Sequence, residues 1–123
     1  MVNVTEMTQD KARAANTGLL LDELEKRIIK EFLDVIILLE LKDKGELSGY
    51  DFAVLQHQKF DLSLSPGTVY ATLYSMERRG LIAGHNDGKK TAFQLTDKGT
   101  AAIESLKRAA PQLTDFMKCL FPV

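Results

Sequence analysis

The sequence predicts a mainly α-helical chain carrying one small β-hairpin, in the order helix, helix, helix, hairpin, helix. Three observations carry this expectation. Apolar residues recur at helical steps over long stretches, hydroxyl caps open helices at Ser65 and Thr96, and the period shortens to strand-like runs only around Asn86-Asp87-Gly88.

The first element follows an N-terminal arm. Residues 1–18 are polar with scattered apolar positions and read as a flexible arm, although Lys11 and Arg13 leave open an arm that touches DNA. From Leu19 the composition changes. Asp22 with Glu25 fits a variant capping box, and Leu24, Ile28, Phe32, Val35, Ile36 and Leu39 follow at helical steps. A single helix from about Leu21 to Lys44 is expected, ended by Gly45 as a left-handed cap. Its second half, FLDVIILLEL, is apolar nearly all round and should be buried on several sides.

Ser48 opens the second helix with Asp51 in the capping-box position. Tyr50, Phe52, Ala53, Val54 and Leu55 make its first half apolar, as for a helix pinned between two others. After a connection over 60–64, Ser65-Pro66 starts the third helix, since a proline at the first helical position lacks only an N–H that would be unpaired there. This helix runs to Arg79 and is closed by Gly80. Leu81-Ile82-Ala83 and Thr91–Leu95 then read as strands around an Asp-Gly turn. Thr96, with Asp97, caps the last helix, whose apolar positions are Ile103, Leu106, Ala110, Leu113, Met117 and Leu120. Pro111 inside that stripe is expected to kink or restart the helix. Three helices followed by a hairpin form the winged helix-turn-helix arrangement.

Composition bounds the chemistry. The 123 residues are 45% apolar and 27% charged, the balance of one folded domain. No stretch is long and apolar enough to span a membrane, and residues 1–16 lack the apolar run of a secretory signal, so a cytoplasmic location is expected. One cysteine, Cys119, cannot form an internal disulfide, and with His57 and His85 it makes no credible zinc set; no metal and no cofactor are expected. Cys119 has apolar neighbours and reads as a buried or interface thiol, the glycines fall at caps and turns rather than in a phosphate loop, and no enzyme activity is expected.

The net charge of −1 conceals an asymmetry. Residues 1–64 carry 8 Lys/Arg against 12 Asp/Glu, residues 65–99 carry 5 against 3, and residues 100–123 carry 3 against 2. At 100° per residue, Val69, Leu73 and Met76 form the buried stripe of helix 66–79. Gly67, Ala71, Tyr74, Ser75 and Arg78 fall on the far side, with Thr68 and Arg79 at a margin and Tyr70 at the edge of the stripe. Small residues there let the backbone approach a groove, Arg78 can reach phosphate or guanine, and Ser65, Gly67 and Thr68 sit at a helix N-terminus that favours a phosphate. Lys89 and Lys90 lie beside the hairpin turn, where a wing meets DNA; a lysine pair at a turn also serves solubility alone.

Four ordered blocks, Gly49-Tyr50-Asp51-Phe52, Ser65-Pro66-Gly67-Thr68-Val69-Tyr70 with Leu73, Glu77-Arg78-Arg79-Gly80-Leu81-Ile82 and Leu95-Thr96-Asp97-Lys98-Gly99, resemble the PadR family of transcriptional regulators over about Phe32 to Leu106. The resemblance implies a homodimeric winged-helix repressor on a two-fold operator of double-stranded DNA, with helix 66–79 in the major groove and wing 84–91 near the backbone or minor groove. On that pattern Ser65, Gly67, Thr68, Tyr70 and Tyr74 face DNA, to which the helical geometry adds Ala71, Ser75 and Arg78, and Lys89 and Lys90 take the place of the usually basic wing. Thr91-Ala92-Phe93-Gln94 departs from the adjacent aromatics and arginine usual in the second wing strand. Tryptophan, which some members use to hold flat aromatic compounds, is absent, and any small-molecule effector is left unidentified.

The expected organisation is therefore an arm (1–18), a DNA-binding domain with an extended first helix (19–99) and a dimerisation helix (100–123). Dimer contacts are expected from Leu24 and Ile28 near the start and from Ile103, Leu106, Leu113, Phe116, Met117 and Leu120 near the end. The alternative function is a winged-helix adaptor for protein–protein assembly, which the acidic N-terminal half would suit.

Overall fold

A computed structural model describes residues 18–60, 64–86 and 88–122. The N-terminal arm, including Lys11 and Arg13, and Asp87 of the hairpin turn lie outside the described residues. Among the described residues, five helices and three strands follow in the order α1 (Gly18–Glu31), α2 (Leu33–Lys44), β1 (Glu46–Ser48), α3 (Gly49–Phe60), α4 (Pro66–Arg78), β2 (Ile82–Asn86), β3 (Thr91–Leu95) and α5 (Asp97–Leu120). This is a winged helix-turn-helix, as the element order of the sequence indicates.

The long first helix expected from about Leu21 to Lys44 is divided. Phe32 adopts φ −104° and ψ 22° between α1 and α2, while its N–H still donates to Ile28 O at 2.9 Å and its carbonyl accepts from Ile36 N–H at 3.0 Å. The two helices thus abut at a one-residue distortion. Because α1 starts at Gly18, Asp22 lies inside the helix and is not its N-cap. Gly45 has the expected positive φ of 87°, but its ψ of −54° is not that of a left-handed helical cap; its N–H closes the helix on Leu41 O at 2.8 Å.

Helix α2 is the centre of the molecule. Its apolar circumference packs against α1, α4, α5, β1 and β3, and Leu33, Ile37, Leu38 and Leu41 are buried. Phe52 from α3, Val69, Leu73 and Met76 from α4, Ile82 from β2, Phe93 from β3 and Ile103 from α5 complete the core. Truncating one such fully buried side chain to alanine costs about 2–5 kcal/mol. Buried Glu40 of α2 is ion-paired with Lys59 of α3, which ties the two helices together through a charge.

The hairpin is part of a three-stranded antiparallel sheet in the order β1-β3-β2. The third strand, β1, is not apparent in the sequence. Leu47 pairs with Phe93 and Ser48 with Ala92, while on the other side Gly84 pairs with Phe93 and Ile82 with Leu95. Ser48 ends β1 and caps α3: its Oγ accepts from Asp51 N–H at 3.1 Å, and Asp51 Oδ2 accepts from Ser48 N–H at 2.9 Å. This reciprocal box turns the strand directly into the helix. Helix α3 is less enclosed than its composition suggests, since Tyr50 is 73% exposed and Ala53, Val54 and Leu55 are half-buried.

Helix α5 is continuous through Pro111. Its cap Thr96 accepts from Gly99 N–H at 3.1 Å through Oγ1 and donates the same hydroxyl to Gly80 O at 2.5 Å. Lys98 Nζ donates to Arg79 O at 2.7 Å, so the last carbonyls after α4 are taken by the first turn of α5. Among the described residues, no helix is long and apolar enough to cross a membrane.

Candidate nucleic-acid interface

The start of α4 is fixed by its own side chains. Ser65, in extended conformation (φ −63°, ψ 144°), accepts from Thr68 N–H at 3.1 Å, and the two hydroxyls share a 2.8 Å hydrogen bond. Pro66 takes the first helical position and no acidic residue lies in the first turn, so the positive end of the helix dipole is left uncompensated by carboxylates of its own helix. Val69, Leu73 and Met76 are buried as the helical geometry requires, which turns the opposite face outward. Ser65, Gly67, Thr68, Ala71 and Arg78 are exposed on it, whereas Ser75 is half-buried.

Two tyrosines mark the side of α4 that faces the wing. Tyr70 and Tyr74 stack with ring centroids 6.1 Å apart and planes at 28°, and Tyr74 meets the core residue Phe93 edge-on at 6.4 Å. Tyr74 is the more exposed, at 47% against 38% for Tyr70. The pair lines a cleft of about 610 Å³, with Tyr50 beside it and Asn86, Lys89 and Lys90 contributed by the hairpin. Aromatic faces and hydroxyls on one wall and ammonium groups on the other suit an anionic chain such as a nucleic-acid backbone. Tyr50 and Asn86 were not singled out from the sequence. Tyr50 stands two residues before the buried Phe52, about 200° round the helix, which is the signal that places it outside.

Three carboxylates lie close to the groups around the cleft. The Ser48 N–H holds the Asp51 carboxyl below the usual carboxylate range, helped by the Ser48 hydroxyl and the Lys90 charge, against an opposing effect of partial burial. Arg79, placed by helical geometry at the margin of the outer face, points back to α2, with its guanidinium 3.4 Å from Asp34 Oδ2. His85 on β2 lies 2.6 Å from Glu46 on β1.

A carboxylate joins α4 to the wing. Glu77, in the last turn of α4, accepts from the N–H of Gly84 at 2.9 Å. A Cβ at position 84 would stand 2.9 Å from Phe93 Cε1, 3.1 Å from Glu77 Oε2 and 3.1 Å from Thr91 Cγ2, so the clamp needs glycine there. The sequence reads Gly84 as a cap or turn glycine, but it lies inside β2, and its pairing with Glu77 is not foreseen because it depends on how the hairpin folds back over α4.

The residues expected at a subunit interface divide into three groups. Ile103 is 1% exposed inside the chain's own core and anchors α5 to α2, so it is not available to a partner. Leu24 and Leu106 are half-buried. Ile28 is exposed, and Leu113, Phe116, Met117 and Leu120 are between 37% and 55% exposed on the distal half of α5. Cys119, expected to be buried or at an interface, is exposed on the same segment. Among the described residues, no cluster of His, Cys, Asp and Glu could hold a metal ion.

Comparison with known proteins identifies a family over more than half of the chain. The family model of the transcriptional regulator PadR-like family matches residues 37–105. A PadR family transcriptional regulator from Eggerthella lenta superimposes with a TM-score of 0.68 at 18% identity, over 83% of this chain and 92% of that one. A PadR-like transcriptional regulator from Bacillus cereus gives 0.65 at 24% identity, over 79% and 98%. Bacillus subtilis PadR in complex with operator DNA gives 0.50 at 28% identity, over 59% of this chain and 46% of that one. No curated protein matches the sequence.

Proposed function

Because the chain belongs to the PadR-like family of transcriptional regulators, we propose that it is a sequence-specific DNA-binding repressor that acts as a homodimer on a two-fold operator. The observation that carries this reading is the cleft in which the outer face of α4 and the tip of the wing present Tyr70, Tyr74, Lys89 and Lys90 to the same volume. Helix α4 enters the major groove with Gly67, Ala71 and Tyr74 toward the bases, Arg78 reaches a phosphate beside the groove, Ser65 and Thr68 take a phosphate at the helix N-terminus, and the wing lysines meet the backbone. The relative in complex with operator DNA supports this use of the fold.

Dimerisation rests on the distal half of α5, where Leu113, Phe116, Met117 and Leu120 leave a contiguous apolar face that a second copy would cover, together with Ile28 of α1. Ile103 belongs to the core and is not part of that interface. Half-sites lie about one helical turn apart, or a multiple of it. The test is fluorescence anisotropy with duplex DNA from upstream of the protein's own gene. The native chain should bind it, and the Lys89→Glu/Lys90→Glu chain should lose retention while staying folded. Undiminished binding by the double variant contradicts the wing contact, and binding of a protein partner in place of any duplex favours an assembly adaptor.

A further inference from the structure

Gly49, the first residue of α3, is buried beneath the ring of Tyr70. A Cβ built there would stand 2.5 Å from Cζ and 2.7 Å from the hydroxyl oxygen of Tyr70, well inside van der Waals contact. The phenol end of Tyr70 therefore occupies the space that any other residue at position 49 would fill. Tyr70 in turn stacks on Tyr74, and Tyr74 rests edge-on against Phe93. The aromatic wall of the cleft is thus keyed at one end to the core of the sheet and at the other to the bare backbone of α3.

We propose that Gly49 is a positioning residue for DNA binding: its missing side chain seats the Tyr70 ring and so sets the direction in which the Tyr70–Tyr74 pair faces the nucleic acid. The inference rests on the assignment of this cleft to DNA. The atoms that would clash belong to the far end of a half-exposed side chain, so an added methyl group displaces Tyr70 toward solvent and leaves the backbone in place. Alanine is also the better helix former, so the fold does not suffer at this first helical position. Seating and stability are therefore separable.

The experiment compares the native chain, Gly49→Ala, Tyr70→Ala and the double variant in operator affinity and thermal midpoint. Nuclear Overhauser contacts between Gly49 Hα and the Tyr70 ring in the DNA-free native chain report the seat. Gly49→Ala should keep the native thermal midpoint and weaken operator binding about tenfold, the effect of losing one hydrogen bond from the Tyr70 hydroxyl to a phosphate in each of two protomers. The double variant should bind no more weakly than Tyr70→Ala, since with the ring gone the methyl group displaces nothing. Native affinity in Gly49→Ala, absence of the Overhauser contact, or a double variant carrying the sum of both losses would overturn the proposal while leaving the DNA-binding reading intact. A native chain that retains no operator DNA overturns that reading and the proposal with it. Should Gly49→Ala unfold, the double variant regains the thermal midpoint of Tyr70→Ala, and failure to regain it counts against the seat.

Discussion

Replacing Glu77 by alanine cuts the hydrogen bond through which α4 holds the wing. Glu77 Oε2 accepts from Gly84 N–H at 2.9 Å, good geometry for a charge-assisted bond, but both groups are at the surface and water replaces the acceptor when the carboxylate is gone. The net loss is then about 1 kcal/mol, below the range of about 1.5–3 kcal/mol for bonds to a charged group because solvent takes over much of the interaction. For a domain of this size that corresponds to a thermal midpoint lowered by roughly 5 °C. Glutamine keeps an acceptor oxygen in the same place and should recover about half of the shift. Operator affinity should fall about fivefold in Glu77→Ala, because Lys89 and Lys90 ride on the hairpin whose angle to α4 is no longer fixed. Differential scanning fluorimetry and anisotropy titration read the two effects. Glu77→Ala with native midpoint and native affinity, or glutamine as damaging as alanine, refutes the clamp.

Further outcomes follow from the same geometry. The Asp51 carboxyl is held low chiefly by the Ser48 N–H, so its folded pKa lies below the unfolded value of about 3.9. Its contribution is present above that value and is lost as pH falls through the folded one, so Asp51→Asn should flatten the acid limb of a midpoint-against-pH curve. An unchanged acid limb argues against the capping box. Phe116→Asp/Leu120→Asp should convert a dimer to a folded monomer by light scattering at micromolar concentration, and a variant that stays dimeric removes the distal face of α5 from the interface. Arg78→Ala should make the salt dependence of operator binding shallower by about 1 for each phosphate that the guanidinium no longer neutralises, whereas Arg79→Ala, whose guanidinium is turned to Asp34, should change it little.

The parts of this fold that local chemistry dictates were legible in the sequence. Ser65-Pro66 and Thr96 name their helix starts through caps that act within three residues, and the hydrogen bonds to Thr68 and Gly99 are those the residue types imply. Val69, Leu73 and Met76 identify the inner face of α4, and so its outer face, from helical period alone. Strand β1 was not legible, because Glu46-Leu47-Ser48 is too short to show a period and exists by pairing with β3, more than forty residues away. The break at Phe32 likewise has no proline or glycine to announce it. In α5 a single apolar stripe changes surroundings along its length: Ile103 fills the chain's own core while Leu113 and Leu120 stay exposed, and periodicity does not mark where one changes to the other. The cleft itself required the tertiary fold, since Tyr50 and Asn86 come to it from a helix and a hairpin separated by α4. Gly49 and Glu77 lay inside motifs recognisable in the sequence, but their partners Tyr70 and Gly84 could only be read from packing.

On the proposed function, this nearly neutral chain holds DNA through a local basic surface doubled by dimerisation. The most direct measurement is operator affinity across a salt series. Arg78, Lys89 and Lys90 meeting phosphates in both protomers predict a log–log slope of about −5. A slope near zero, or no retention of any duplex at low salt, would contradict it.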